Sequence, residues 1–521
     1  MQDFHSWCPF RSAELSTAFW IGFISGSYSH NTSLSSRITS STSRILPYKA
    51  RVRFSAPPNL EINTFLLLMR SMAQSHPSLS TGQVHSMSPD SFFAVDDEKL
   101  VRLIHDEFPD ELNRLTRAYS IRDQDFTPPS TPSPSYILYG KDYDEVNRTL
   151  VSVLALRWIY NGQYETFVET QPEHLRLKRE SFNWIREIFA KGITSPADFH
   201  ALITSIVVND LGKDPQLAAD YHDKMGEDIS DLNHDMILLK AVKDGLVQSL
   251  DRLTPEHKAN VILGMELGSE FNFGQLAQAE NAPFCLSILA KMAGKERAFE
   301  QRFMEQLLDI AGASGHMDWT CAKKLIEPIF EAYHNVYDVA NAVISSVLGW
   351  HDGYDLILIR RTEMLHAKGF RALDIDNPRE RALMRLLCMG GVADLETAEL
   401  YDTVWKDLDD STKASLIHTL NLDGSVTEPA VQPTYMPALL AQGVDPTRPR
   451  SRFEKEASLR AILRYCSRVM RITDKPDGQV IVIERNALWV LQHVVLSPEF
   501  KADPSVLETT DVPKSVVAMT R

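Results

Sequence analysis

What the chain lacks narrows it first. Its five cysteines in 521 residues (Cys8, Cys285, Cys321, Cys388 and Cys466) are odd in number, far apart and never in a CxxC pair. That excludes a disulfide scaffold and a cysteine-rich zinc site, and the default it leaves is a reducing, cytoplasmic location. No run approaches the ~18 apolar residues needed to cross a bilayer. Positive charge is not in surplus either: the formal net charge is -15, so a nucleic acid would have to dock on a local basic patch. There is no Walker loop, no GxGxxG after a strand, no HExxH, no GxSxG and no DDxxD run. No metal site and no cofactor declares itself, and no fixed period repeats. With 44% hydrophobic and 24% charged residues, wholly disordered, collagen-like and coiled-coil classes are excluded as well.

The chain that remains divides by composition. Residues 1–71 hold seven Lys/Arg against three acids, leaving -19 for the rest, and Asn31–Arg44 is mostly Ser and Thr. This start reads either as an over-extended gene start, with the initiator at Met69 or Met72, or as an organelle transit peptide; residues 1–85 are expected to be poorly ordered. From Val95 onward the apolar spacing is helical, as at Leu100, Leu103, Ile104 and Phe108. Helix starts are marked at Ser195-Pro196 and Thr254-Pro255-Glu256. Thr127–Pro134 is an exposed proline-rich loop, and 422–451, with five prolines, reads as a second. Only Gln479–Glu484, after Pro476-Asp477-Gly478, reads as strand. The expectation is a mainly α protein: one large multi-helix domain over 90–500, a small β element near the C-terminus, and a tail at 501–521.

Four places carry chemistry-bearing residues. The first is Asn209, Asp210, Lys213 and Asp214, followed by His234 and Asp235. The run Phe199–Val208 before it is apolar enough to be buried, so charges at its end need partners or a ligand. It reads as a cation pocket or as a helix end with a structural ion pair. The second is Glu266, Glu270, Asn272, Gln275, Gln278, Glu280 and Asn281, interleaved with Phe271, Phe273 and Leu276: a polar pocket, or a helix junction with self-satisfied amides. The third is Gly312-Ala313-Ser314-Gly315-His316, where small residues permit an anion cradle or a plain helix–helix turn. Ser314 with His316 is a weak nucleophile–base pair, and Ser269 is another candidate serine. The fourth is the stripe Arg460, Arg464, Arg468 and Arg471, preceded by Arg448, Arg450, Arg452 and Lys455. It suits phosphate or ion pairs with acidic helices. Arg176, Lys178, Arg179 and Arg186 form a weaker patch.

Two resemblances follow from these residues. Asn209-Asp210-Leu211-Gly212-Lys213 resembles the His-Asp-hydrophobic-Gly-Lys motif of HD-domain phosphohydrolases, helical enzymes that bind divalent metal through His and Asp. Here Asn209 replaces the motif histidine, and His200, His222 or His234-Asp235 would have to compensate. The alternative function this implies is a metal-dependent phosphohydrolase or a metal-lost helical binding protein. The closer resemblance is to the fungal arginine-containing cyclodipeptide synthases. It spans about 90–500 and rests on Asn209–Pro215, Asn233–Asp235, the run 275–281 and Gly312–His316. That resemblance implies an aminoacyltransferase of secondary metabolism that uses arginyl-tRNA and a second aminoacyl-tRNA, with no cofactor, membrane or DNA partner, to make a 2,5-diketopiperazine. The residues it implies for catalysis are Asn209, Asp210, Lys213, Asp214, His234, Asp235, Glu280, Ser314 and His316. For substrate binding they are Asp210, Asp235, Glu266, Glu270, Gln278 and Asn281, and for tRNA the four-arginine stripe. His234 or Glu280 would be the general base that frees the attacking α-amine, and Ser269 or Ser314 a covalent carrier.

Overall fold

The computed structural model describes residues 84, 87–120, 127–444, 450–472 and 479–520. The N-terminal extension up to residue 83 and Arg448 lie outside them. The described chain is mainly α-helical, with one three-stranded sheet near its C-terminal end. Among the described residues no helix is long and apolar enough to cross a membrane.

The longer helices are α1 (Asp97–Glu107), α2 (Pro109–Leu115), α3 (Asp144–Asn161), α4 (Arg179–Gly192), α5 (Pro196–Val208), α6 (Pro215–Met225), α7 (His234–Lys243), α8 (Pro255–Glu270), α9 (Phe273–Ala277), α10 (Glu296–Gly312), α11 (Glu327–Ile344), α12 (Trp350–Ala367), α13 (Pro378–Met389), α14 (Leu395–Asp407), α15 (Asp410–Leu420), α16 (Met436–Val444) and α17 (Arg452–Met470). Their starts follow local chemistry. The Ser195 and Thr254 side chains accept from the Asp198 and His257 amides, each with proline in the first turn. Ser451 and Glu454 close a reciprocal capping box on α17.

Among the described residues the expected single domain contains two large hydrophobic cores and a small third cluster at the sheet, of Ala282, Cys285, Ala430, Ile481 and Val482. The first gathers α1 to α12 around α3, whose Leu150, Val151, Val153, Leu154, Leu156 and Trp158 are buried on every side. A helix apolar all round belongs inside, so the polar residues on its first turns are buried with it. The second core joins α14 to α17. Helix α13 is the shared wall: Met384 and Cys388 face the first core, and Leu383, Leu386 and Leu387 the second.

Three sequence expectations need correction. The proline-rich stretch 422–451 is not only loop: it holds β1 (Ala430–Gln432) and α16, because the apolar Val431, Met436, Leu439 and Leu440 have the second core to enter. The apolar spacing over 318–348 predicts one helix, but the helix begins only at Glu327. Before it, the Asp318 carboxylate accepts from the amide and hydroxyl of Thr320 and diverts the backbone into turns. The stretch beyond 500 is more than a tail. β2 (Val480–Arg485) pairs parallel with β1 and antiparallel with β3 (Ser515–Thr520), in the order β1-β2-β3 with Val431 opposite Ile483 and Ile483 opposite Val517.

Candidate functional site

Helix α5 is buried along its whole length, so its C-terminal end delivers Asn209 and Asp210 into the protein. A single 3-10 turn, Leu211–Lys213, follows, and Asp214 caps α6 by accepting from the Gln216 amide at 3.0 Å. Gly212 fixes what this turn packs on. A Cβ there would lie 1.9 Å from the His234 carbonyl oxygen, so only glycine lets the turn dock on the start of α7. Two segments 20 residues apart in the chain thereby meet, Asn209–Asp214 and Asn233–Asp235. Asn233 is the α7 cap, His234 is buried beside Asp235, and the Asp235 carboxylate is a quarter exposed.

Inside that turn lies a charged centre shared by α3, α5, α7 and α10. The Lys213 ammonium sits 3.1 Å from both the Asp210 and Glu145 carboxylates. Glu145 also accepts from Arg148 at 2.8 Å and from the Ser120 hydroxyl. On α10, Arg302 pairs with Glu305 and donates to Asn209 Oδ1 at 3.2 Å, while Ser205 donates to Glu305. Asp309 stands 3.8 Å from Arg148. Five carboxyl groups (Glu145, Asp210, Asp235, Glu305, Asp309) thus share three cations (Arg148, Lys213, Arg302).

Burial acts unequally on these carboxyls. Burial pushes Asp210 well above the ordinary carboxylate range, against the pull of Lys213 and with Glu145 and Asp309 adding to the rise. Burial acts on Glu145 too, but Arg148, Lys213 and hydrogen bonds from Asp210 and Ser120 outweigh it and hold Glu145 well below that range. The two carboxyls are thus pushed in opposite directions, Asp210 toward its protonated form by burial and Glu145 toward its ionised form by the flanking cations. Glu305 is likewise raised, by burial, despite Arg302 and Ser205. The space lined by Arg148, Asn209, Asp210, Glu305 and Asp309 measures about 10 Å³, room for about one water. This closes the expected role of Asp210 as a guanidinium ligand in this conformation: Asp210 already has Lys213, and no side chain fits beside it.

Asp214 is fully buried on the other face of the turn. Arg117 holds it through Nε at 2.9 Å and Nη2 at 2.5 Å, and Arg114 through Nη1 at 3.2 Å. With the cap to α6, its oxygens are fully engaged, so Asp214 anchors two arginines rather than touching a substrate.

The Gln275–Asn281 run, whose Leu276, Ala277 and Ala279 belong to the first core, meets β1 and α13 and forms a different kind of site. Asn281 Nδ2 donates to Gln275 Oε1 (3.2 Å) and to Gln432 Oε1 of β1 (2.8 Å). The carbonyls of Ala279 and Asn281 accept from the Tyr354 hydroxyl and from the buried Arg385 guanidinium. Glu280 is buried and accepts from the Tyr435 amide at 2.5 Å. Burial drives its carboxyl up to about 8, against that amide and with Glu484 adding to the rise. On either side of this contact the backbone is left-handed at non-glycine residues, Ala279 (φ 50°) and Tyr435 (φ 71°). Such strain persists only where surroundings over-determine it, and it concentrates at functional sites. Gln278 Nε2 and Asn281 Oδ1 are buried there without hydrogen-bond partners among the described residues.

The remaining candidates lie elsewhere. Glu266 and Glu270 are on exposed parts of α8, paired with Lys243 (2.6 Å) and Lys291 (3.2 Å), and Ser269 bonds back to the Glu266 carbonyl. The small residues of Gly312–Gly315 serve helix packing. A Cβ at Gly312 would sit 2.1 Å from Ser152 Oγ, and one at Gly315 2.8 Å from the Asn147 carbonyl, both on α3. The amides of Gly315, Met317 and Asp318 point back to Gly312 and Ser314, so they form no anion cradle. Ser314 and His316 are buried, and the Ser314 hydroxyl has no hydrogen-bond partner among the described residues; the serine–histidine dyad is not formed.

The arginine stripe runs along α17, and each member is engaged. Arg460 lies 3.8 Å from Asp407, Arg464 3.4 Å from Asp409 and 3.3 Å from Glu508, Arg468 bonds the Leu507 carbonyl, and Arg471 lies 3.5 Å from Ser415 Oγ. Lys178 and Arg179 pair with Glu327 and Glu165, while Arg176 and Arg186 bond backbone carbonyls.

Glu145, Arg148, Arg302, Glu305 and Asp309 were not singled out by sequence. Glu145/Arg148 and Arg302/Glu305 look like ordinary i,i+3 surface pairs; the available signal was their position on helices with apolar residues on all sides. For the HD-type pattern, Asn209 faces Arg302, His200 lies beside Glu107 and His222 is exposed on α6. Among the described residues no three His, Cys, Asp or Glu side chains are arranged to hold a metal ion. No curated protein and no solved structure matches the chain. A family model does match, over residues 101–507, which include both polar sites and the α17 stripe, and the chain accordingly belongs to DUF6829, a family of unknown function.

Proposed function

We propose that the chain is a cytoplasmic aminoacyl-tRNA-dependent cyclodipeptide synthase that joins an arginyl group to a second aminoacyl group and releases a cyclic dipeptide. The observation that carries this reading is the buried carboxyl of Glu280, set between two left-handed non-glycine residues and raised toward neutral pH. An aminoacyl ester arrives with its α-amine as ammonium, and a nearby carboxylate must take that proton before the nitrogen can attack. The amine then bonds to the carbonyl carbon of the other ester, the ester C–O bond breaks, and the tRNA hydroxyl leaves with a proton. Repetition within the dipeptidyl ester closes the ring. The ester supplies the activation, so no nucleotide cofactor is required.

Glu280, at about 8, fits a base working near neutral pH. Lys213 and Arg148 hold Glu145 toward its charged form, while burial, Glu145 and Asp309 favour the protonated form of Asp210. The acceptor stems would lie on the α17 stripe. Its pairs with Asp407, Asp409 and Glu508 are partly exposed, and such pairs are worth only about 0–1 kcal/mol, so phosphate can displace them. The test is expression of the full chain in a microbial host, with mass spectrometry of the extract. The expected result is a new arginine-containing diketopiperazine, absent with Glu280→Gln although that variant stays folded. A soluble native chain that yields none overturns the reading.

A further inference from the structure

The outer face of the Leu211–Lys213 turn borders an open groove of about 330 Å³, against about 10 Å³ at the charged centre behind it. That volume is at the lower end of what small ligands occupy. One wall is apolar, from Leu211, Leu246 and Val247; the other is polar, from α2 and α6. Arg114 and Arg117 line the groove, yet it is not an anion site. Both guanidinium groups are consumed by Asp214, and Arg114 Nη2 also by Asp220 at 2.5 Å. These two cations and two carboxylates cancel. What remains is Asp110, which is exposed, and Glu111.

Glu111 is the unusual member. It is only 6% exposed, it lines the groove, and among the described residues no hydrogen bond or ion pair reaches its carboxylate. It does not cap its own helix: α2 has no side-chain cap. Its stem is buried and its carboxylate opens onto the groove, which is the space where a partner would sit. We propose that this groove binds an alkyl cation, an ammonium or guanidinium on an aliphatic stem, with Glu111 as its counter-charge. The stem packs on Leu211 and Val247 while the charged end reaches Glu111, as amphipathic cations do. Asp110 at the rim adds attraction. The inference does not depend on the cyclodipeptide reading.

The test is isothermal calorimetry on the full chain with n-butylguanidinium, n-butylammonium and the neutral isostere n-butylurea. Native protein is expected to bind at least one of the cations saturably and the urea at least about tenfold more weakly. Glu111→Gln, which keeps the volume, is expected to lose at least about tenfold in cation affinity, and Asp110→Asn a smaller factor. Glu111→Gln should also melt no lower than native, because among the described residues no contact holds the carboxylate; a marked fall in its melting temperature would reveal a structural role and overturn the assignment. So would cation binding unchanged in Glu111→Gln, equal binding of the urea, or no saturable binding to native protein. The native comparison of cation with urea and the exposed Asp110→Asn variant test the cation preference without altering Glu111. Because the readout is binding, its failure is visible separately from a failure to form cyclic dipeptide.

Discussion

The turns Asn209–Asp214 and Gln275–Asn281 are equally polar and largely buried, but they solve the cost of burial in opposite ways. The first matches charge with charge: Lys213 lies 3.1 Å from two carboxylates, and Asp214 is gripped by two arginines. The second has no such pairing. Its amides bond to one another and to β1, and its one ionisable group, Glu280, has a single amide donor and a raised affinity for its proton. The first is therefore held by electrostatics and is vulnerable to loss of any one charge. The second is held by hydrogen bonds and is vulnerable to a change of pH.

Removing the charge at the middle of the first turn should break it hardest. Lys213→Met leaves Glu145 with Arg148 alone and Asp210 with no cation at hydrogen-bond distance. Breaking a buried pair from one side costs about 3–5 kcal/mol, read as a lowered urea midpoint at unchanged slope. A loss below about 1 kcal/mol would mean that water reaches this centre and that the pairing is not what holds it.

The second turn should answer to pH instead. Glu280 has its proton affinity raised in the folded chain, from an ordinary carboxyl value of 4.5 to about 8. Between those values the folded state binds more protons than the unfolded one, so stability falls as pH rises through the interval and levels off above it. The Glu280 contribution is on the order of 5 kcal/mol across the interval, and Glu280→Gln should remove it, leaving a flatter profile and a more stable protein at pH 8. If Glu280 is the base, product formation in the native chain rises through the same interval, because only the ionised form accepts a proton. A Gln variant with the native pH profile would show that Glu280 is hydrated in solution.

Gly212 tests the docking that completes the first turn. Gly212→Ala directs a methyl at the His234 carbonyl oxygen, a backbone atom that no rotamer change can move aside. Overpacking of this kind costs about 1–3 kcal/mol, measured by thermal melting. Near-native stability would mean that the start of α7 shifts freely, and that His234 and Asp235 are not held at this centre.

How much of this could be read from sequence differs between the two turns for a physical reason. The caps at Ser195 and Thr254 and the QVIVIE strand were legible because their signals are local. The Asn209–Asp214 turn was legible as costly because an apolar helix runs straight into it. Its partners were not: Glu145 and Arg148 are 61 or more positions earlier, and their burial depends on α10 packing over α3 through Gly312. The glycines there read as a ligand cradle because close approach to a ligand and to a helix demand the same small residue. The Gln275–Asn281 run was recognisable as a polar junction, but the left-handed backbone at Ala279 and Tyr435 has no sequence signal, since neither is glycine or asparagine. β1 and α16 were hidden by prolines that lie between and around their apolar positions rather than throughout them.

The smallest effect is expected on α17, and it sharpens the comparison by adding pairs that are neither buried nor strained. Arg464 is 42% exposed and faces Asp409 and Glu508 at 3.4 and 3.3 Å. Water and salt screen such contacts, so Arg464→Gln should change stability by no more than about 1 kcal/mol, and the difference should vanish at high salt. If the stripe also carries RNA, the same substitution made together with Arg460→Gln should weaken tRNA binding and reduce its dependence on salt, because each lost phosphate contact releases fewer counterions. Stability and RNA affinity thus separate the two roles of one surface. Unchanged tRNA affinity at every salt concentration, with a measurable loss of stability at low salt, would leave the arginines as ties between α17 and its acidic neighbours and would move the acceptor stem to another face.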